Sequence, residues 1–106
     1  MEIAARELKS VDVLTVSGRV DSSTAPRLDQ TLKGLLDNKR SRIVLDLSGV
    51  AYLSSAGLRT MVSCRRSGGD LRLANPSKRV KQVLELAGLD VVFKIYKDQV
   101  AAVGSF

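Results

Sequence analysis

Apolar positions change their period several times along the chain, and each change marks an element. Ile3 to Lys9 alternates weakly, Ser10-Val11-Asp12 reads as a turn, and Val13-Leu14-Thr15-Val16-Ser17 reads as a stronger strand, so the opening predicts a hairpin. Leu28, Leu32, Leu35 and Leu36 then recur at i, i+4, i+7 and i+8, the single apolar face of an amphipathic helix. Ser22-Ser23-Thr24-Ala25-Pro26 starts it: Ser23 or Thr24 can accept an early N–H, and Pro26 has none to leave unpaired. Asp37-Asn38-Lys39 ends it. Arg42-Ile43-Val44-Leu45-Asp46-Leu47 is apolar without alternation, as a central strand covered on both faces requires.

A second helix follows Ser54-Ser55, with Leu58, Met61 and Val62 inward and Gly68-Gly69 as its left-handed stop. Asp70-Leu71-Arg72-Leu73-Ala74 predicts a short strand. Asn75-Pro76-Ser77 restarts a helix with Val80, Val83, Leu84 and Ala87 inward and Gly88 as its stop. Val91-Val92-Phe93-Lys94-Ile95 predicts a last strand, and Asp98 to Val103 a short terminal helix. The order ββαβαβαβα is that of an α/β fold: a mostly parallel sheet with an antiparallel edge hairpin and helices packed on the sheet. At 106 residues, without repeats or linkers, the chain is expected to form one domain over 1–106. A domain of that size buries roughly 60–70% of its unfolded surface.

Composition narrows the chemistry. There is no histidine and no tryptophan, and Cys64 is the only cysteine. A histidine-based triad, a histidine metal site, a thiolate cage and an internal disulfide are thereby excluded, and a reducing cytoplasm is the expected compartment. Cys64 on a helix, with no histidine to activate it, reads as a buried thiol. No apolar run approaches the ~20 residues of a membrane helix, and the charged start (Glu2, Arg6, Glu7, Lys9) is unlike a secretory signal. The net charge of +6 sits in Lys39-Arg40-Ser41-Arg42, Arg65-Arg66 and Lys78-Arg79-Val80-Lys81, which read as solvated helix ends and faces. With Phe93, Phe106, Tyr52 and Tyr96 as the only aromatics and no basic-aromatic motif, direct nucleic-acid binding is not expected. Gly68-Gly69 follows a helix and lacks phosphate-loop spacing, so no cofactor is expected.

What remains is the segment Leu45 to Arg59, in which a buried strand leads through two adjacent serines into a helix. Ser54 or Ser55 can cap that helix. Alternatively, a hydroxyl there can receive a phosphate, whose charge of about −2 the free N–H groups of a first turn favour. Asp21, after Gly18-Arg19-Val20, reads either as an Asx-turn residue or as part of the same surface. Asp46 and Ser48 read as structural.

The segment resembles the STAS domain family, and within it the bacterial anti-sigma factor antagonists. Their signature runs strand, Asp-Leu-Ser, then Asp-Ser-Ser/Thr-Gly-Leu; here the last part is Ser54-Ser55-Ala56-Gly57-Leu58, with serine at the acidic position. The resemblance runs from Gly18-Arg19-Val20-Asp21 to Leu86-Ala87-Gly88-Leu89 and implies the STAS fold. It further implies a partner switch and no enzymatic activity of its own. The unphosphorylated chain would bind an anti-sigma factor that is also a serine kinase and so release a sigma factor. The kinase, using ATP, would phosphorylate Ser55 and end binding, and a serine phosphatase would restore it. By the same resemblance, Asp21, Ser22, Ser23, Thr24, Ser54, Ser55, Ala56, Gly57 and Arg59 form the partner-binding surface. Gly57 is expected to let a partner approach the backbone. The alternative is a non-switching STAS accessory subunit of another complex, such as a lipid-transport ABC transporter.

Overall fold

The computed structural model describes residues 1–106. The elements are β1 (Glu2–Glu7), β2 (Asp12–Val20), α1 (Ala25–Asp37), β3 (Arg42–Leu53), α2 (Ser55–Arg66), β4 (Asp70–Ala74), α3 (Lys78–Leu86), β5 (Ile95–Tyr96) and α4 (Gln99–Gly104). They build one five-stranded sheet in the order β1-β2-β3-β4-β5. β1 pairs with β2 antiparallel, and every other pair is parallel. This is the expected α/β arrangement with its edge hairpin.

The two faces of the sheet follow from side-chain alternation. Ile43, Leu45 and Leu47 of β3 join Leu14 and Val16 of β2 in the main core, against Leu28 and Leu32 of α1, Met61 and Cys64 of α2, and Val80 and Leu84 of α3. Val44 points the other way, with Val13 and Ala74, toward Ala102 of α4. Three helices therefore cover one face and the short α4 part of the other. Asp46, also on the α4 face, is buried; its Oδ1 accepts the Ser48 N–H at 2.9 Å, and its Oδ2 accepts from Gln99. Its role is structural, as expected.

Ala87, expected inward on α3, is exposed just beyond its end, and the backbone departs from expectation in three places. β3 does not stop near Leu47 but runs to Leu53, and β2 continues through Gly18-Arg19 to Val20. Ser48-Gly49 resembles a turn, yet two register shifts let β3 carry its extra residues and stay paired with β2. Gly49 makes this possible: a Cβ there would lie 2.9 Å from the Ser17 Cβ. The last strand is only Ile95–Tyr96. The β-branched run before it is folded into a turn, where the N–H groups of Val92 and Phe93 both donate to the Leu89 carbonyl. Finally, Thr24 occupies the N-cap position of α1 without a side-chain capping bond. The Asp21 carboxylate instead accepts the N–H groups of Ser23 and Thr24 just before the helix, and its backbone carbonyl accepts that of Ala25.

Candidate functional site

β2 and β3 end side by side, with Val20 opposite Leu53. Immediately beyond, the Ser54 N–H donates to the Val20 carbonyl at 2.9 Å. The loop after β2 and the turn after β3 are thus joined at the C-terminal edge of the parallel strands, where α/β sheets commonly place their binding sites.

The two serines take different roles. Ser54 has extended dihedrals (φ −89°, ψ 173°), and its Oγ accepts the Gly57 N–H, so it is the N-cap of α2. Ser55 is exposed, and its hydroxyl makes no hydrogen bond within the chain. One serine therefore caps the helix while its neighbour presents a free hydroxyl at the first turn. An aspartate at position 54 would cap equally well, so serine there conserves the geometry.

Asp21 organises the neighbouring loop. Its Oδ1 accepts the Ser23 N–H at 3.0 Å, the Thr24 N–H at 3.2 Å and the Ser23 hydroxyl at 2.7 Å. The bond from the Ser23 hydroxyl is the main cause that holds the Asp21 carboxyl below its ordinary range; partial burial opposes it, and the two N–H bonds add to it. Thr24 Oγ1 accepts the Asp21 N–H and donates to the Arg19 carbonyl, both at 2.9 Å. Asp21 and Thr24 thus brace one another, and Ser23 is committed to the same network. Asp21 and Asp46 have no shared site, because Asp46 faces α4.

Between the first turns of α1 and α2 lies an open cleft of about 300 Å³, lined by Ser22, Ala25, Pro26 and Asp29 on one side and Ala56, Arg59 and Thr60 on the other. Ser22, Ala56 and Arg59 meet across it, beside exposed Ser55. Gly57 has a different role from the one expected. It is buried, and a Cβ there would lie 2.7 Å from Leu53 Cδ1 and 2.8 Å from Val20 Cγ1. Its missing side chain lets α2 seat on the strand ends instead of opening the backbone to a partner.

Two residues that sequence reasoning did not place in the site belong to its rim. Arg19 lies opposite Tyr52 in the register, its guanidinium 4.2 Å from the Tyr52 ring centroid and its Nε 3.7 Å from Asp21 Oδ2. Tyr52 stays 41% exposed. The pair forms a flat cationic-aromatic ledge next to the serine turn. No group of three or more Asp, Glu, Cys or His side chains is placed to hold a metal ion.

Comparison with known proteins gives the family and the fold. The family description that matches is the STAS domain, over residues 2–102. A Bordetella bronchiseptica protein, BtrV, assigned as an anti-sigma factor antagonist, is 29% identical over 110 residues, covering 100% of this chain and 95% of its own. The crystal structure of an anti-sigma factor antagonist from Mycobacterium paratuberculosis superposes with a TM-score of 0.88 at 26% identity, covering 98% of this chain and 92% of that one. The Bacillus cell fate determinant SpoIIAA in its phosphorylated form shares the fold, with a TM-score of 0.77 at 14% identity and 98% coverage of both chains.

Proposed function

The chain belongs to the STAS domain family, and from that membership we propose that it is an anti-sigma factor antagonist that works as a phosphorylation-controlled partner switch in the cytoplasm. Its unphosphorylated surface, comprising Asp21, Ser22, Ser23, Thr24, Ser54, Ser55, Ala56 and Arg59, docks on an anti-sigma factor that is also a serine kinase. The kinase brings the ATP and transfers its γ-phosphoryl to the Ser55 hydroxyl, and a serine phosphatase removes it.

One observation carries this reading: of two adjacent serines, Ser54 is committed to the cap and Ser55 is left exposed with an unbonded hydroxyl. A phosphate on Ser55 would add about −2 charge at the N-terminal end of α2, where the helix dipole tolerates it. The fold would remain, while a small neutral contact point would become bulky and anionic. A partner packed there would have to desolvate that charge, which is enough to end binding.

The test is intact mass and site mapping after incubation with ATP and the host's anti-sigma kinase, for wild type and Ser55→Ala. One phosphate, lost in the variant, is expected, together with kinase binding by Ser55→Ala that ATP no longer disrupts. Tight binding without phosphate transfer would instead favour a non-switching accessory subunit.

A further inference from the structure

The cleft between the first turns of α1 and α2 is not the only opening along α2. One turn on, α2 and the segment after α3 enclose a groove of about 460 Å³. Leu58 and Val62 form one apolar wall, and Ala87 and Leu89 the other. Both charged residues that line it are cations, Arg59 and Arg66. The segment that builds the far wall leaves large apolar side chains in water: Leu86 is 90% exposed and Val91 86%. Between Leu86 and Val92, Asp90 is the only charged residue. An apolar channel with cationic rims, flanked by exposed apolar side chains, is the surface of a docking site.

We propose that this groove receives an acidic amphipathic helix of the partner, whose apolar stripe lies between α2 and the Leu86–Val92 segment and whose carboxylates meet Arg59 and Arg66. The occupant follows from charge and shape. A second copy of this chain would bring its own +6 against these cations. A groove walled by α2 on one side and by the turn after α3 on the other offers an apolar floor for the side of a helix and its i, i+3, i+4, i+7 anchors. Arg59 lines both this groove and the cleft between α1 and α2, so the two openings form one track along α2. This inference takes the kind of partner from the antagonist reading and adds to it a reason for the polarity of the switch. A phosphate on Ser55 would stand at one end of the track and repel an acidic helix lying along it.

The test does not depend on phosphate transfer. The isotopically labelled full chain is titrated with two helix-forming peptides of about 18 residues, long enough to span about 27 Å. Both carry leucines at helical spacing; the remaining positions are mostly glutamate in one and lysine in the other. The glutamate peptide is expected to shift the amides of Leu58, Val62, Ser63 and Leu89 saturably, and charge reversal at both Arg59→Glu and Arg66→Glu to weaken that binding by at least about tenfold. Both positions are at the surface, and the amide spectrum itself reports whether the variant is folded. An equal response to the lysine peptide, shifts lying elsewhere, or a response to anionic phospholipid vesicles alone would each overturn the proposal. Failure of Ser55 phosphorylation with a positive titration would leave the groove standing without the switch.

Discussion

The Ser54 N–H donates to the Val20 carbonyl at 2.9 Å, and this bond makes two distant stretches of sequence one structural unit. Val20 leads into the Asp21 network and Ser54 into α2, so the cap of one helix is braced against the strand that feeds the other. The site is assembled by strand pairing, and its parts need no ligand to bring them together.

Gly57 is the tightest point of that assembly. Gly57→Ala places a methyl group against Leu53 and Val20, and overpacking of this kind costs about 1–3 kcal/mol, which exceeds the gain in helix propensity. Gly34→Ala, in α1 with nothing within 4 Å of the new methyl, should instead stabilise by about 0.5–1 kcal/mol. Thermal unfolding of the two variants should therefore move in opposite directions, and equal shifts would contradict the packing described.

Asp21 gives the loop a defined pH response. Its folded carboxyl titrates below the ordinary aspartate range, so its contribution to stability is fully present above that range and is lost as pH falls through the lower, folded value. Melting curves between about pH 6 and pH 2.5 should show a steeper acid loss for wild type than for Asp21→Asn, which retains an acceptor but does not ionise. Parallel curves would mean that the carboxylate is not engaged as the structure has it.

Cys64 should behave as a core residue. Burial, with a smaller contribution from Asp29, pushes its thiol up to about 11, so it carries almost no thiolate at neutral pH. Labelling with a thiol reagent at pH 8 should be at least about a hundredfold slower than in the unfolded chain and should follow global opening. Gly69→Ala should speed it, because a Cβ there would lie 2.6 Å from the Cys64 Sγ. Rapid labelling of the folded wild type would place the thiol at the surface.

Arg72 fastens α4. Its Nη1 donates to the Ser105 carbonyl at 2.6 Å and to the Ser105 hydroxyl at 2.8 Å, and its guanidinium lies 3.9 Å from the Phe106 ring centroid. A helix of six residues has little stability of its own. Arg72→Lys keeps the charge but loses the fork and the stacking. Amide exchange at Ala101 and Ala102 should rise by at least about tenfold while that of Leu45 is unchanged. A uniform rise across the sheet would show that Arg72 acts on the whole fold.

Much of this was legible in the chain because the signals were local. The leucine spacing of α1, the helix restart at Asn75-Pro76-Ser77 and the glycine after α2 each depend on a few neighbouring residues, and the structure contains them. The order of elements was enough for a parallel sheet with an edge hairpin. What was hidden depends on pairing. Ser48-Gly49 has turn chemistry, and only the register shifts against β2 show that the strand continues. Val91-Val92-Phe93 has strand chemistry, yet the Leu89 carbonyl claims the N–H groups of Val92 and Phe93. Ser54 and Ser55 carry the same side chain, so their division of labour is set by where β3 leaves β2. The Arg19–Tyr52 ledge was invisible for the same reason: it exists only once the register is known.

The orientation of α2 has a consequence for how such a domain can diversify. Gly57, Thr60, Met61 and Cys64 face inward, and Ser55, Arg59 and Arg66 face out, on one short helix. Under the proposed docking, substitutions that retune which partner is chosen fall on one set of positions, and substitutions that threaten folding fall on the other. Duplicated copies in one genome could acquire different partners by drift on the outer set alone, with the inner set unchanged.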